Sequence, residues 1–400
     1  MAVTLQTLNY KQSLLVRKIH LNTELKIDFI NDIEKINAGD WQHLNDSSCP
    51  FLSYEFFKAL EKSQSVSTEQ GWQAHHLVVT TENEVTAIMP MYLKSHSWGE
   101  YVFDWDWADA YKRNNIHYYP KLVATIPFTP VSSDKLLSSQ VEIKALFQPL
   151  MDHCQRENIN SWHILYSNEI KATLPKDVYQ RNTVQFHWSN YGYKTFDDFL
   201  NTFTSRKRKN TRKERLSILD QGIKIRQLKN HEITEKDLDF FYLTYQLTYL
   251  KRGHQPHLSS SFFKQILLNM PDNILLVIAS HNQEDIACAL FFYDDTHLYG
   301  RYWGCTRHYN NLHFELCYYR GIEFCIQHNL KVFNPGTQGE HKIQRGFEPI
   351  LTYSYHWIKH PAFKEAIKAF CQQEQKHMLM YQQQCQQLLP FKQVLKKHNE

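Results

Sequence analysis

An order of elements that occurs twice is what most limits the fold of this chain. From residue 53, "SYEFFKALEKS" (Ser53–Ser63) is a serine-capped helix by its apolar spacing, and "AHHLVVTT" and "VTAIMPMYLKS" are two strands joined by the polar turn "ENE". A strand at Lys121–Ile126, the helical period of "VEIKALFQPLMDHCQREN" and the strands "SWHILYS" and "TVQFHWS" follow. From residue 235 the order returns. "EKDLDFFYLTYQLTYLKRG" is a helix with a glycine stop, and "SSSFFKQILLNM" is a second capped helix. Three strands follow ("NILLVIAS", "DIACALFFYDD", "HLYGRYWGC"), then the helix "NLHFELCYYRGIEFCIQHN" and the strands "LKVFNP" and "ILTYSYHWI". This order suggests a duplicated α+β unit, although no residue-level repeat accompanies it. A chain of 400 residues is too long for one ordinary core, which agrees with two units. The tail from Pro361 reads as a long glutamine-rich helix.

Charge excludes some functions. The net charge of +4 leaves no global field for a polyanion. No apolar run approaches the roughly 20 residues that cross a bilayer, and "MAVTLQTLNYKQSLLVRKIH" lacks a leader's apolar core and cleavage site. The eight cysteines are scattered without a CxxC pair, which reads as reduced thiols in a cytoplasmic protein. No HExxH, HxH or paired-cysteine spacing predicts a metal.

Basic charge is concentrated in "SRKRKNTRKERL" (Ser205–Leu216), where seven cations face one acid, Glu214. A solvated linker helix is one reading. The other is an anion site, with Arg206, Arg208, Lys209 and Arg212 holding phosphates of a nucleotide, tRNA or CoA.

Three further clusters carry chemistry. "NPGTQGEHKIQRGFEP" follows a strand and is neither a P-loop nor a dinucleotide turn, because Glu340 and not Lys-Ser/Thr follows Gly339. It displays Gln338, Glu340, His341, Lys342 and Arg345: two bases, two cations and an amide. A turn whose charges pair with one another is the plain alternative. In "YGRYWGCTRHYNNLHFE", Tyr299, Arg301 and Trp303 alternate and should face one side of a strand, with His313 and Glu315 in the first turn of the next helix. In "FDWDWADAYKRNNIHYYPKL", Asp104, Trp105, Asp109 and Tyr118 form either an aromatic core rim or a cleft wall for a polar or amine substrate.

Together the stretches "PFLSYEFFKALE", "GEYVFDWDWADAY", "YYPKL…IPFTPV", "LYGRYWG", "LHFELCYY" and "GTQGEHKIQRGF…T.S.H", spanning about Trp41 to His356, resemble the FemAB-like predicted N-acyltransferases, relatives of the peptidoglycan Fem ligases within the GNAT superfamily. The resemblance implies an α+β chain of two GNAT-like domains, each a mixed, mostly antiparallel sheet flanked by helices. The expected division is an extension over 1–22, a first domain over 23–195, a second over 196–360 opening with the basic helix, and a helical tail over 361–400. The implied reaction moves an acyl or aminoacyl group to an amine. Acyl-CoA or aminoacyl-tRNA would be co-substrate, with no tightly bound cofactor and a small amine or peptide as acceptor. The GNAT pyrophosphate loop has no clear match, since "WGCTRHYNN" holds one glycine, and "KRGHQPHL" puts Arg252 and His257 where aromatic residues are expected.

The expected roles are Glu340 or His341 as base, Lys342 and Arg345 on an anionic part of a substrate, and Arg301, His313 and Glu315 completing the cleft. Tyr299 is a candidate acid for the leaving group. Two rival readings remain: a non-catalytic binding protein on the same scaffold that recognises tRNA or a cell-wall precursor, and an RNA-binding factor acting through the basic helix.

Overall fold

The computed structural model describes residues 25–337 and 339–392. The expected extension over 1–22 and the candidate Gln338 lie outside the described residues.

Among the described residues there are fourteen strands: β1 (Lys26–Ile30), β2 (Trp72–Ala74), β3 (His76–Thr81), β4 (Glu84–Met89), β5 (Met91–Lys94), β6 (Lys121–Ala124), β7 (Ser161–Ser167), β8 (Val178–Ser189), β9 (Lys224–Lys229), β10 (Ile274–His281), β11 (Glu284–Tyr293), β12 (His297–Cys305), β13 (Val332–Asn334) and β14 (Glu348–Ile358). They form a three-stranded sheet, β1-β3-β4, and an eleven-stranded sheet, β2-β5-β6-β7-β14-β8-β13-β12-β11-β10-β9.

The duplication is visible in the pairing. In the first half β1 pairs β3, β3 pairs β4, β5 pairs β6, and β6 lies parallel to β7. In the second half β9 pairs β10, β10 pairs β11, β11 pairs β12, and β12 lies parallel to β13. Even the hairpin turns correspond. Glu82-Asn83 and Asn282-Gln283 both take two positive φ angles, as a two-residue turn between right-twisted strands requires. Each hairpin also has a register shift just before its turn, at Val79/Thr80 and at Ala279/Ser280. The halves differ at Pro90, which has no N–H to donate and separates β4 from β5. That break puts β1, β3 and β4 in a sheet of their own.

The halves are joined by exchanged strands. β14 inserts between β7 and β8, and β8 pairs with β13. The last strand of each half thus completes the other half's sheet around a local pseudo-two-fold axis. A shared aromatic core adds to this. Phe51 and Phe56 pack ring to ring against Phe262, Phe292 and Tyr299.

The expected helices form at Tyr54–Lys62, Phe147–Arg156, Glu235–Leu250 and Ser260–Asn269. Ser53, Thr234 and Ser259 each cap a helix by accepting from a backbone N–H. The tail helix Pro361–Gln387 lies across β8 and β14. Arg181 of β8 holds Glu374 at 2.6 Å and stacks on Trp107. Gln375 and Gln382 reach strand carbonyls, while Gln372, Gln373, Gln383 and Gln384 face solvent.

One close approach fixes the helix Glu235–Leu250 on the sheet. A Cβ at Gly304 of β12 would stand 2.0 Å from the Thr244 carbonyl oxygen. Gly304→Ala is expected to cost about 1–3 kcal/mol and to push this helix outward. A urea titration checks it, and an unchanged midpoint would show that the helix moves freely.

Candidate active site

The central feature is where two parallel strands part. β12 and β13 pair only over His297–Tyr299 and Val332–Asn334, then diverge. A cleft of about 660 Å³ opens there between the two halves. The second half contributes Arg301, Trp303, His313, Gly336 and Thr337, together with Thr248, Tyr249, Arg252 and His257. The first half contributes Trp72, His96, Trp98, Tyr101, Trp105 and Phe128. Among the described residues lining it there is no carboxylate, only arginine, histidine, aromatic and small polar groups.

A β-bulge sets the orientation of Arg301. Leu290 faces Tyr302 and Phe291 faces Gly300, so Arg301 is the extra residue on β12. Its Nη2 donates to the Phe128 carbonyl across the cleft at 2.6 Å, while its Nε is buried without a partner. The bulge also corrects the expected alternation. Tyr299 does not share a side with Arg301 and Trp303. Its hydroxyl donates to Asp294 at 3.1 Å, its ring packs on Phe51, and it lines a separate cavity of about 390 Å³ with Cys49 and His187.

His313 lies in the helical run Leu312–Phe314, which continues through a π-turn at Glu315–Tyr319 into Arg320–Gln327. A single π-turn inside a helix is a frequent mark of a functional site. The imidazole sits edge-on to Trp303, with ring centres 5.3 Å apart. Burial, then the charges of Arg345, Lys342 and Arg252 and the neighbouring His341, push its pKa down to about 4. Burial and Lys94 likewise hold His257 at about 4. Both are neutral imidazoles near pH 7, the form that can take a proton.

The glycine loop is folded mainly onto the protein. Residues Glu340–Arg345 form a 3-10 turn between Gly339 and Gly346, both with positive φ. Among the described residues of this stretch, only Gly336 and Thr337 line the cleft. Glu340 accepts from Tyr381 of the tail helix at 2.6 Å. His341 bonds Tyr318 at 2.8 Å and stands behind His313. Lys342 is buried and donates to the Gly336 carbonyl at 2.6 Å, and burial lowers its pKa to about 7. Arg345 stacks on Phe314 and bonds Glu214 at 2.9 Å. Glu315 is buried between Arg215 and Arg320, each at 2.9 Å. Local sequence shows that these groups are charged but not that partners from the helix Ser205–Asp220 reach them.

In the aromatic segment Trp105 lines the cleft, and Asp109 is exposed on the helix Trp105–Arg113. Asp104 and Tyr118 lie beneath the cleft floor in a buried network. Lys121 bridges Glu100 at 2.7 Å, Asp104 at 2.5 Å and Ser97 at 2.8 Å, and Tyr118 donates to Asp104. Burial raises Glu100 to about 7 against the pull of Lys121. Burial also pushes Asp104 up, but Lys121 and its other donors carry it below the usual carboxylate range. Arg206, Arg208, Lys209 and Arg212 lie on the outward side of their helix, and none lines the cleft. Among the described residues, no group of three or more His, Cys, Asp and Glu is placed to hold a metal ion, and no helix is long and apolar enough to cross a membrane.

Trp72, His96 and Tyr249 were not singled out by the sequence. The first two lie on short strands and a loop whose pattern is that of an ordinary core edge, and Tyr249 is one of many aromatics on its helix.

No curated protein matches the chain. Among solved structures, FemX matches with TM-score 0.45 at 13% identity, covering 77% of this chain and 93% of its own. A tandem GNAT protein from the clavulanic acid biosynthesis pathway gives TM-score 0.42 at 10% identity, covering 84% and 99%. L-PGS from Bacillus licheniformis gives TM-score 0.47 at 8% identity, covering 79% and 96%. The family model for FemAB-like proteins of peptidoglycan biosynthesis and recognition matches residues 32–393. The chain belongs to the FemAB-like family.

Proposed function

We propose that this enzyme transfers an acyl or aminoacyl group from a thioester or ester donor to an amine held in the cleft between the halves. The observation that carries the reading is the pairing, in one cleft, of a neutral imidazole with a guanidinium whose Nε has no partner. The amine nitrogen attacks the donor carbonyl carbon, His313 takes the amine proton, and Arg301 stabilises the oxyanion. That attack forms the C–N bond, and collapse of the tetrahedral intermediate re-forms the carbonyl and breaks the C–S or C–O bond to the leaving group. The leaving group takes a proton from His313 or from Tyr249. Trp98, Trp105 and Trp303 supply flat faces for the substrates.

This assignment moves the base from the glycine loop to His313. Glu340, His341, Lys342 and Arg345 become positioning residues that hold the loop, and His341, Arg345 and Lys342 also depress the imidazole's pKa. The donor is an acyl-CoA or an aminoacyl-tRNA acting as co-substrate, the acceptor is an amine or peptide of cell-wall synthesis, and the site of action is the cytoplasm. We also propose the functional division as 23–195 and 196–360, with exchanged strands and a bracing tail over 361–400.

Mass spectrometry of the protein with candidate acyl-CoAs, aminoacyl-tRNAs and amine acceptors tests the reading. The expected result is an acceptor heavier by the acyl group. Tight binding of tRNA or a precursor, with no transfer from any donor, would favour the non-catalytic alternative.

A further inference from the structure

The helix Ser205–Asp220 has one face that the cleft does not use. Thr211 and Ile218 are buried under it, and Lys207, Glu214 and Arg215 turn inward to Gln344, Arg345 and Glu315. At 100° per residue, Arg208, Lys209, Arg212, Lys213, Leu216 and Leu219 then share the outward side with one acid, Asp220. Leu216 is 57% exposed and Leu219 is 67% exposed. Among the described residues no carboxylate pairs with Arg208, Lys209 or Lys213, and Arg212 has only the exposed Asp197, at 2.9 Å. The first turn carries cations at the positive end of the helix dipole and no acid, an arrangement that an external anion relieves. A groove of about 910 Å³ runs beside the leucines. Phe196, Leu200 and Ile225 line it, Arg212 and Lys224 stand among its lining residues, and its carboxylates Asp197, Glu315 and Glu323 are each paired with an arginine.

We propose that this face docks on an anionic lipid surface. The cations meet headgroup phosphates, and Leu216 and Leu219 enter the acyl boundary beside the groove. A polyanion such as RNA would use the cations but leaves the exposed leucines and the apolar groove without a role, so charge and apolar surface together favour lipid. This keeps Arg206, Arg208, Lys209 and Arg212 as a phosphate-binding set, with the phosphates outside the cleft.

The test is co-sedimentation of the full chain with phosphatidylcholine vesicles, with and without phosphatidylglycerol. Binding is expected only with phosphatidylglycerol and should fall at high salt. At roughly fivefold per cation, the triple variant R208Q/K209Q/K213Q should bind on the order of a hundredfold more weakly. L216N/L219N should lose about tenfold on vesicles while its retention on tRNA stays unchanged. In a second measurement, L219W emission should shift to the blue on phosphatidylglycerol vesicles. No dependence on phosphatidylglycerol, no blue shift, or vesicle binding indifferent to the leucines beside tight tRNA binding through the same cations would each overturn the proposal. These readouts need no turnover, so their failure leaves the transferase reading untouched.

Discussion

His313→Gln is expected to lower kcat/KM by about 10²–10⁴, the usual contribution of a positioned base. Glutamine keeps much of the size of the ring but cannot take a proton. Arg301→Gln should cost about 10²–10³ by removing the donor nearest the developing oxyanion, with the loss in kcat rather than KM. The pH profile separates a base from a packing residue. With its pKa held at about 4, His313 is already neutral at pH 5.5, so activity should stay flat from there to neutrality. An ordinary histidine would give a limb near 6.5. Full turnover in His313→Gln, or an acid limb near 6.5 that this substitution leaves in place, would remove His313 from the mechanism.

Lys121→Met should give the largest loss of stability. It leaves Glu100 and Asp104 buried without their shared cation, and breaking a buried ion group costs about 3–5 kcal/mol. Against a total stability of about 5–15 kcal/mol this takes much of the fold's margin. Glu100→Gln and Asp104→Asn added to Lys121→Met should restore most of the loss, because no unpaired charge remains. The two acids respond to pH in opposite directions. Glu100 is raised to about 7 in the folded state, so its contribution is complete below about 4.3 and is lost as pH rises through 7. Asp104 is depressed, so its contribution holds above about 3.9 and is lost in acid. Between pH 5 and 8, wild type should therefore lose stability relative to Glu100→Gln. Urea titrations at both pH values measure this, and a constant difference would show that Glu100 stays ionised.

Local signals made the elements legible. Capping serines, alternating strands and glycine stops gave the helices and hairpins, and the order of elements gave the duplication. Periodicity cannot show which strands pair at a distance, so the exchange of β8 and β14 came only from the structure. The same reason explains the site. Arg301, Trp303, His313 and Trp105 could be named because each sits in a dense run of functional residue types. The bulge at Arg301 broke the simple alternation that had grouped Tyr299 with it. Glu315, Lys342 and Arg345 looked like site residues because sequence shows charge and not its partner. Burial by Arg215, the Gly336 carbonyl and Glu214 turned them into supports.

The exchange of β8 and β14 also constrains the order of synthesis. As the chain leaves the ribosome, β7 and β8 emerge long before residues 348–358, so the neighbour that β14 provides to each does not yet exist. The first half waits with open strand edges until residues 348–358 have been made. A chain stopped short of Glu348 leaves both edges unpaired, and those edges are where nascent chains of this protein would pair with one another.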